Sequence, residues 1–190
     1  TKTYVDDIFS TFLYKGNSTS QNVTNGIDLA GEGGMVWAKR RSGSQNHVLA
    51  DTVRGITKYL NPNDTAAEVT DQERFLSVSS TGFAVGDEVD TNGSGSTYAS
   101  WTFRKTEKFF TIKQYTGTGS TQSLTHDLGC IPGCIMVKRT EGVASWGVYH
   151  RGQNDGVDPE DYRLRLNSDT TENNDTYWGD TAPTATHFTV

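Results

Sequence analysis

The chain has 190 residues, a formal net charge of -6 and 33% hydrophobic residues. Its length allows one large domain or two of about 100 residues, and its acidic balance argues against nucleic acid as the main partner. No apolar run approaches the roughly 20 residues that cross a bilayer, so we expect no membrane partner either.

Short segments rich in β-branched and aromatic residues alternate with turn residues, which is typical of antiparallel strands. A helix is predicted only at residues 64–74, where Asp64 is a possible cap, and its counterpart at 169–177 is Asn-rich and weaker. The predicted strands of the first half are 8–14, 21–23, 35–40, 47–51, 58–60, 75–79, 83–85 and 98–105.

The second half of the sequence repeats the first in order, which indicates two copies of one structural unit. About eight strands per hundred residues predicts an all-β chain of two tandem antiparallel β-sandwiches. The recurring residues are Tyr14 and Tyr115, Gly16 and Gly117, Gln21 and Gln122, Gly34 and Gly133, Lys39 and Lys138, Val48 and Val148, Leu60 and Leu166, Asn61 and Asn167, and Phe83 and Phe188.

The repeat divides the chain into a first module, residues 1–107, and a shorter second module, residues 108–190. After Val85 the first module continues with a segment that includes residues 98–103, whereas Val190 is the last residue of the second. We therefore expect the second sheet to have an open edge, and the missing strand to come from a continuation of the polypeptide or from a neighbouring subunit.

Metal and disulfide chemistry are weakly indicated. The acidic loops at 86–92 and 155–161 carry enough oxygen atoms for calcium but lack the EF-hand spacing, so solvated turns are the favoured interpretation. Cys130 and Cys134 flank a Pro-Gly turn and are predicted to be free thiols, because a lone C-x-x-x-C is a poor zinc or disulfide signal. We predict no metal and no cofactor.

Nothing in the sequence couples a nucleophile to a base, so we predict that the protein is not an enzyme and has no catalytic residues. The histidines lack the spacing of ligand or catalytic pairs, and structural roles are favoured for them. A polysaccharide depolymerase is the enzymatic alternative, and it would need a cleft with two close carboxylates. The histidines are His47, His126, His150 and His187.

Two surface features leave binding open, although the ligand stays unknown. The basic strand ends, Lys39-Arg40-Arg41 and Lys138-Arg139, suit an anion or a partner but more often keep a sheet edge soluble. Exposed aromatic rings could stack on sugars in a lectin-like groove, although a core role is more common. The aromatic residues considered are Trp37, Trp146, Tyr149 and Trp178.

Several strings resemble a repeat module of large virion proteins from tailed bacteriophages, especially marine phages. They are Tyr4-Val-Asp-Asp-Ile-Phe-Ser-Thr11, Gly26-Ile-Asp-Leu-Ala-Gly-Glu-Gly-Gly-Met-Val-Trp37, Ala50-Asp-Thr-Val-Arg-Gly55, Val137-Lys-Arg139 and Val148-Tyr-His-Arg151. The resemblance covers nearly the whole chain, and Cys130 and Cys134 depart from it.

The resemblance implies that the β-sandwiches are of lectin-like, jelly-roll type. It also implies a structural protein of the virion, made in the host cytoplasm and placed in a tail fibre or another surface appendage. Its partners would be copies of itself, in a closed assembly such as a trimer, and other virion proteins, with a host-surface glycan as a further partner. The alternative is a carbohydrate-binding module for host recognition. For subunit contacts we expect exposed apolar faces around Met35 and Trp37 and around Cys134 and Met136.

Overall fold

The computed structural model describes residues 2–190, which form fifteen strands and little helix. The α-helix α1 is a single turn at Val89–Asn92. The strands of the first half are β1 (Phe9–Lys15), β2 (Gln21–Thr24), β3 (Gly34–Arg40), β4 (Val48–Asp51), β5 (Lys58–Leu60), β6 (Val69–Thr70), β7 (Phe75–Ser79), β8 (Gly82–Val85) and β9 (Thr97–Arg104). Those of the second half are β10 (Ser123–Thr125), β11 (Cys134–Val137), β12 (Gly147–His150), β13 (Tyr162–Arg165), β14 (Asn173–Asn174) and β15 (His187–Thr189).

The first half is a sandwich of two antiparallel sheets. One sheet has the order β1-β9-β3-β4-β5-β6 and the other the order β2-β8-β7. Side chains from the facing sides of the two sheets point inward and form a core. Both sheets contribute to it, including Val36, Ala38, Val23 and Phe83. The predicted all-β, sandwich-like fold class is thereby confirmed, and all eight predicted strands of this half lie within one residue of their observed bounds.

The second half repeats the central strands in the same order. β11-β12-β13-β14 follows the order of β3-β4-β5-β6, and β10 pairs with β15 as β2 pairs with β8. The strands that would correspond to β1, β7 and β9 are absent from the described residues. The division at residue 107 stays a prediction, since the two halves also pack on each other.

Equivalent hydrogen bonds fix the repeat residue by residue. The Thr52 N–H donates to the carbonyl of Gly34 at 3.0 Å, and the Arg151 N–H donates to that of Gly133 at 3.0 Å. The Gln21 amide donates to the carbonyl of Lys15 at 3.1 Å, and the Gln122 amide to that of Thr116 at 3.3 Å. Gly133 and Gln122 therefore occupy the places of Gly34 and Gln21.

Three of the predicted equivalences are shifted. Asn63 accepts the backbone N–H of His47, as Asn167 accepts that of Trp146, so Asn167 corresponds to Asn63 and not to Asn61. By the same offset Leu60 corresponds to Leu164, which the strand pairing supports, rather than to Leu166. Val48 corresponds to Gly147, not to Val148, because each lies opposite the equivalent residue of β3 or β11.

The predicted helix at residues 64–74 is wrong. The Asp64 carboxylate accepts the N–H groups of Thr65 and Ala66, but no helix follows it. The β-branched pair Val69–Thr70 then pairs with β5, and β14 takes the same place in the second half. Salt bridges between acidic residues and arginines hold both segments extended. In a helix the partners of these salt bridges would be separated.

The two halves share a second core on the outer face of the six-stranded sheet. Trp146, which is 4% exposed, packs with Met35, Leu49 and Leu60 of the first half. Phe110 and Ile112 pack against the same cluster. The expected open face around Met35 is therefore wrong, because the chain's own second half covers it.

No helix among residues 2–190 has the length and apolarity to cross a bilayer.

Candidate interaction surfaces

β11 has a hydrogen-bonded neighbour on one side only within the described residues. It ends the order β11-β12-β13-β14, whereas its counterpart β3 lies between β9 and β4. This difference appears in the burial of equivalent side chains. Val36 and Ala38 of β3 are fully buried, whereas Ile135 and Val137 of β11 are half-buried and Met136 is 37% exposed. The second sheet thus has the expected open edge.

In the first half, polar contacts fix the segment that leads from α1 into β9. The Tyr14 hydroxyl donates to the carbonyl of Thr91 at 2.8 Å, and its ring stacks on Tyr98 at 5.1 Å. The Gln21 amide donates to the side chain of Asn92. Tyr14 lies in β1 and Gln21 in β2. Their contacts fix the positions of Thr91 and Asn92, which come shortly before β9 in the chain.

Asn92 is fully buried and uses its whole side chain. Its amide donates to the carbonyls of Thr19, at 2.6 Å, and Gly86, and its oxygen accepts the N–H of Asn17 at 3.0 Å. A buried amide with such partners holds three loops together. From the sequence, Asn92 was singled out only as a member of the acidic loop at 86–92; its position directly before Gly93-Ser94-Gly95 was the available signal.

Two glycines allow the same segment to approach closely. A Cβ at Gly16 would lie 2.3 Å from the carbonyl oxygen of Gly93, and a Cβ at Gly34 would lie 2.1 Å from that of Phe103. Both distances are far below contact distance, and the obstructing atoms are backbone. Gly16 and Gly34 are therefore required by the neighbouring chain.

Beside the shared core, the outer face of the six-stranded sheet carries an aromatic surface, defined here as Leu13, Trp37, Trp101 and His47. The two indoles meet edge to face at 6.1 Å, and both are half-buried. Leu13 is 59% exposed beside them. The Trp37 indole N–H donates to Nδ1 of His47 at 2.9 Å.

The other aromatic residues considered for sugar stacking form core. Trp146, Tyr149 and Trp178 are all at most 4% exposed. Tyr149 and Trp178 pack edge to face at 6.0 Å, and the Trp178 N–H donates to the carbonyl of Tyr162. The favoured core role is thereby confirmed for these three residues, and the alternative of an exposed sugar-stacking groove is wrong for them.

The basic strand ends are tied to backbone rather than displayed. Lys39 donates to the carbonyl of Arg40 at 2.7 Å, and Lys138 donates to those of Arg139 and Thr65. Burial is the main cause that lowers the pKa of Lys138. Lys138 thus links the halves, and the exposed cations of the two clusters are Arg41 and Arg139.

The acidic residues of the two loops lie in an arginine cluster and in short helices. Arg74 lies between the carboxylates of Asp71, Glu88 and Asp90, with Asp90 at 2.9 Å. The carboxylates that the loop at 86–92 contributes therefore form salt bridges with an arginine. The loop at 155–161 folds into two short 3-10 helices. No three His, Cys, Asp or Glu side chains of residues 2–190 are grouped as metal ligands.

The histidines and cysteines are dispersed. His126 contacts the carbonyl of Thr184, and His150 and His187 contact neighbouring backbone or hydroxyl groups. The predicted free thiols are confirmed: Cys130 is half-buried and Cys134 exposed, with no bond between them. Burial nevertheless raises the pKa of the Cys134 thiol.

A polar cleft of about 210 Å³ lies where the halves join. Carboxylates of Glu32, Glu107 and Asp127 line it with Lys105. A hydrogen bond from Thr111 is the main cause that lowers the pKa of Asp127. That carboxylate is therefore ionised at neutral pH and is not suited to act as a general acid.

A family model described as "Domain of unknown function (DUF7483)" matches residues 5–190, which is nearly the whole chain and spans both halves. No curated protein and no solved structure matches the chain.

Proposed function

Because the chain belongs to the DUF7483 family, a domain of unknown function, we propose its function from its own residues: it is a non-catalytic structural protein of a bacteriophage virion, in a tail fibre or another surface appendage. The observation that carries the proposal is the packing of two copies of one β-unit into a single block. Repeated units that contact their neighbours build the elongated, stiff bodies that such appendages require.

The contact between the units supports stiffness. Trp146 of the second half fills a hollow between Met35, Leu49 and Leu60 of the first. A backbone hydrogen bond also joins the two halves: the Glu68 N–H donates to the carbonyl of Thr140 at 2.9 Å. A well-packed apolar contact with crossing hydrogen bonds resists bending better than a linker does.

The resemblance to repeat modules of tailed-phage virion proteins supplies the setting. The partners under this proposal are copies of the chain, other virion proteins and a host-surface glycan, and the site of action is the virion. The face of β11 around Cys134 and Met136 is the remaining candidate for subunit contact, because Met136 is exposed there.

The test is a mass-spectrometric inventory of purified particles combined with antibody labelling in the electron microscope. The proposal predicts peptides of the chain in intact particles, at a fixed stoichiometry, and label on an appendage. Peptides found only in the infected-cell lysate and never in purified particles would contradict it.

A second candidate, a carbohydrate-binding module, is favoured by the aromatic surface. Trp101 and Trp37 lie half-buried beside Leu13 on the outer face of a sheet, where aromatic rings can stack on sugars. A glycan array tests it. Binding that falls at least tenfold in Trp101→Ala, and is unchanged in Val143→Ala, would support this candidate; no bound glycan would exclude it from the array's range.

A further inference from the structure

We propose that the second half accepts one further strand alongside β11, and that its occupant is an extended segment with the chemistry of residues 91–104. The acceptor edge is defined as β11 together with Tyr115, Gly117, Gln122 and Gly133. The inference goes beyond the virion role and does not depend on it. Strand addition to an exposed sheet edge is a general mode of peptide recognition.

The strongest evidence for the added strand is the space around the glycines of the acceptor edge. Gly16 and Gly34 are crowded by the backbone of Gly93 and Phe103, as described above. Their counterparts face open space: a Cβ at Gly117 would meet nothing within 4 Å, and one at Gly133 would meet only the Arg151 side chain, at 3.6 Å or more.

The local backbone does not require these two glycines. Gly117 and Gly133 are not among the residues with positive φ, so any residue could adopt their conformation. The first half shows what does require a glycine at these places, which is a closely approaching backbone. The second half has kept both glycines where the described residues supply no such backbone.

The polar side chains that hold the segment in the first half are also kept. Tyr115 and Gln122 stand in the places of Tyr14 and Gln21, which contact Thr91 and Asn92. The Gln122 amide already donates to the carbonyl of Thr116, as Gln21 does to Lys15. Its orientation therefore suits a second hydrogen bond to an asparagine in the place of Asn92.

The edge itself indicates an uncharged partner. Natural edge strands are commonly protected by charge, proline or a bulge. β11 reads Cys134-Ile-Met-Val137, without charge or proline, and pairs regularly with β12. The stretch of β9 from Tyr98 to Phe103 is equally uncharged. An uncharged strand is therefore the complementary occupant.

The interior face limits the size of the occupant's side chains. In the first half Ser100 and Thr102 are fully buried and lie opposite Ala38 and Val36. The larger side chains of Val137 and Ile135 hold those places in the second half. Small inward-facing residues like those of β9 are therefore needed.

The repeat also gives the register. Phe103 lies opposite Met35 and Trp101 opposite Trp37. An occupant in the same antiparallel register places its equivalent of Phe103 opposite Cys134, and its equivalent of Trp101 opposite Met136. The proposal thus predicts which residues of the two strands are neighbours.

Binding of a labelled peptide with the sequence of residues 89–105 to the full chain tests the proposal. We expect saturable binding, weakened at least tenfold by Gly133→Ala or Gly117→Ala in the chain and by Asn92→Ala in the peptide. Neither glycine variant should lower the unfolding free energy, so lost binding would not reflect misfolding. Absent binding, or binding indifferent to all three changes, would overturn the proposal.

Disulfide exchange in a glutathione buffer tests the register. In the Cys130→Ser chain, a peptide carrying Phe103→Cys should couple to Cys134 more than one carrying Trp101→Cys. In a chain with Cys130→Ser, Cys134→Ser and Met136→Cys the preference should reverse. Equal coupling of both peptides would overturn the proposal. So would a disulfide-linked dimer that forms through Cys134 and is not displaced by peptide, since it assigns the edge to a second copy.

Discussion

The indole N–H of Trp146, in the second half, donates to the backbone carbonyl oxygen of Asn61, in the first, at 3.0 Å. The side chain amide of Asn61 in turn donates to the carbonyl of His47 at 2.6 Å. One tryptophan thus joins the shared apolar core to the turn after β5. The two halves are therefore coupled by both packing and hydrogen bonding.

Replacing Trp146 should destabilise the whole chain. We expect Trp146→Ala to lower the unfolding free energy by about 3–5 kcal/mol, as for buried tryptophans in general. Trp146→Phe keeps much of the packing and should lose about 1 kcal/mol with the hydrogen bond. Urea denaturation measures both, and Trp101→Phe on the aromatic surface is the control. A Trp146→Ala loss no larger than that of the control would contradict the shared core.

Asn92 should be among the most sensitive polar residues. Asn92→Asp replaces a buried donor with a carboxylate that faces the carbonyls of Thr19 and Gly86, and buried groups without a partner cost about 1–3 kcal/mol each. We expect a loss of at least about 2 kcal/mol in denaturant unfolding by the same principle. Asn174→Asp, on the exposed strand β14, is the matched control and should be nearly neutral.

His47 should make stability depend on pH. Its burial, and secondarily the nearby Lys39, lower its pKa from 6.5. Below pH 6.5 the unfolded chain takes up a proton that the folded chain refuses, so this contribution to stability is full above 6.5 and is lost as the pH falls towards the folded pKa.

An NMR titration of the imidazole tests this directly. The folded chain should show a pKa for His47 below 6.5, and Lys39→Gln should raise it because a neighbouring positive charge is removed. Proton uptake should also perturb the Trp37 indole signal, since Nδ1 then no longer accepts its N–H. A pKa at or above 6.5 in the unmodified chain would contradict the prediction.

How far the sequence predicts the fold depends on the range of the interactions. Alternation and turn residues are local, so the strands of the first half were located closely. The helix predicted at 64–74 is wrong because contacts from outside the segment hold it extended: Arg54 pairs with Glu68, and Val69–Thr70 pairs with β5. The residue that packs over Met35 could not be predicted from the neighbouring sequence either, because Trp146 lies more than a hundred residues away along the chain.

The candidate site was predicted in part for the same reason. The internal repeat revealed that the second half lacks a counterpart of β9, and hence the open edge. The meaning of Gly117 and Gly133 was not visible, because only the structure shows that Gly16 and Gly34 are crowded by the β9 segment. A core role was favoured for the aromatic residues, and the structure confirms it for Trp146, Tyr149 and Trp178 but leaves Trp37 half-buried, a difference that residue type alone does not reveal.

The most direct test of the open edge compares the unfolding free energies of Gly34→Ala and Gly133→Ala in the 190-residue chain. The account predicts a loss of several kcal/mol for Gly34→Ala, roughly the cost of an overpacked core, because its Cβ would lie 2.1 Å from the carbonyl oxygen of Phe103. It predicts no loss for Gly133→Ala, and a gain of up to about 1 kcal/mol from a less flexible unfolded chain. A loss for Gly133→Ala as large as that for Gly34→Ala would show that the chain covers this edge itself, and would contradict the account.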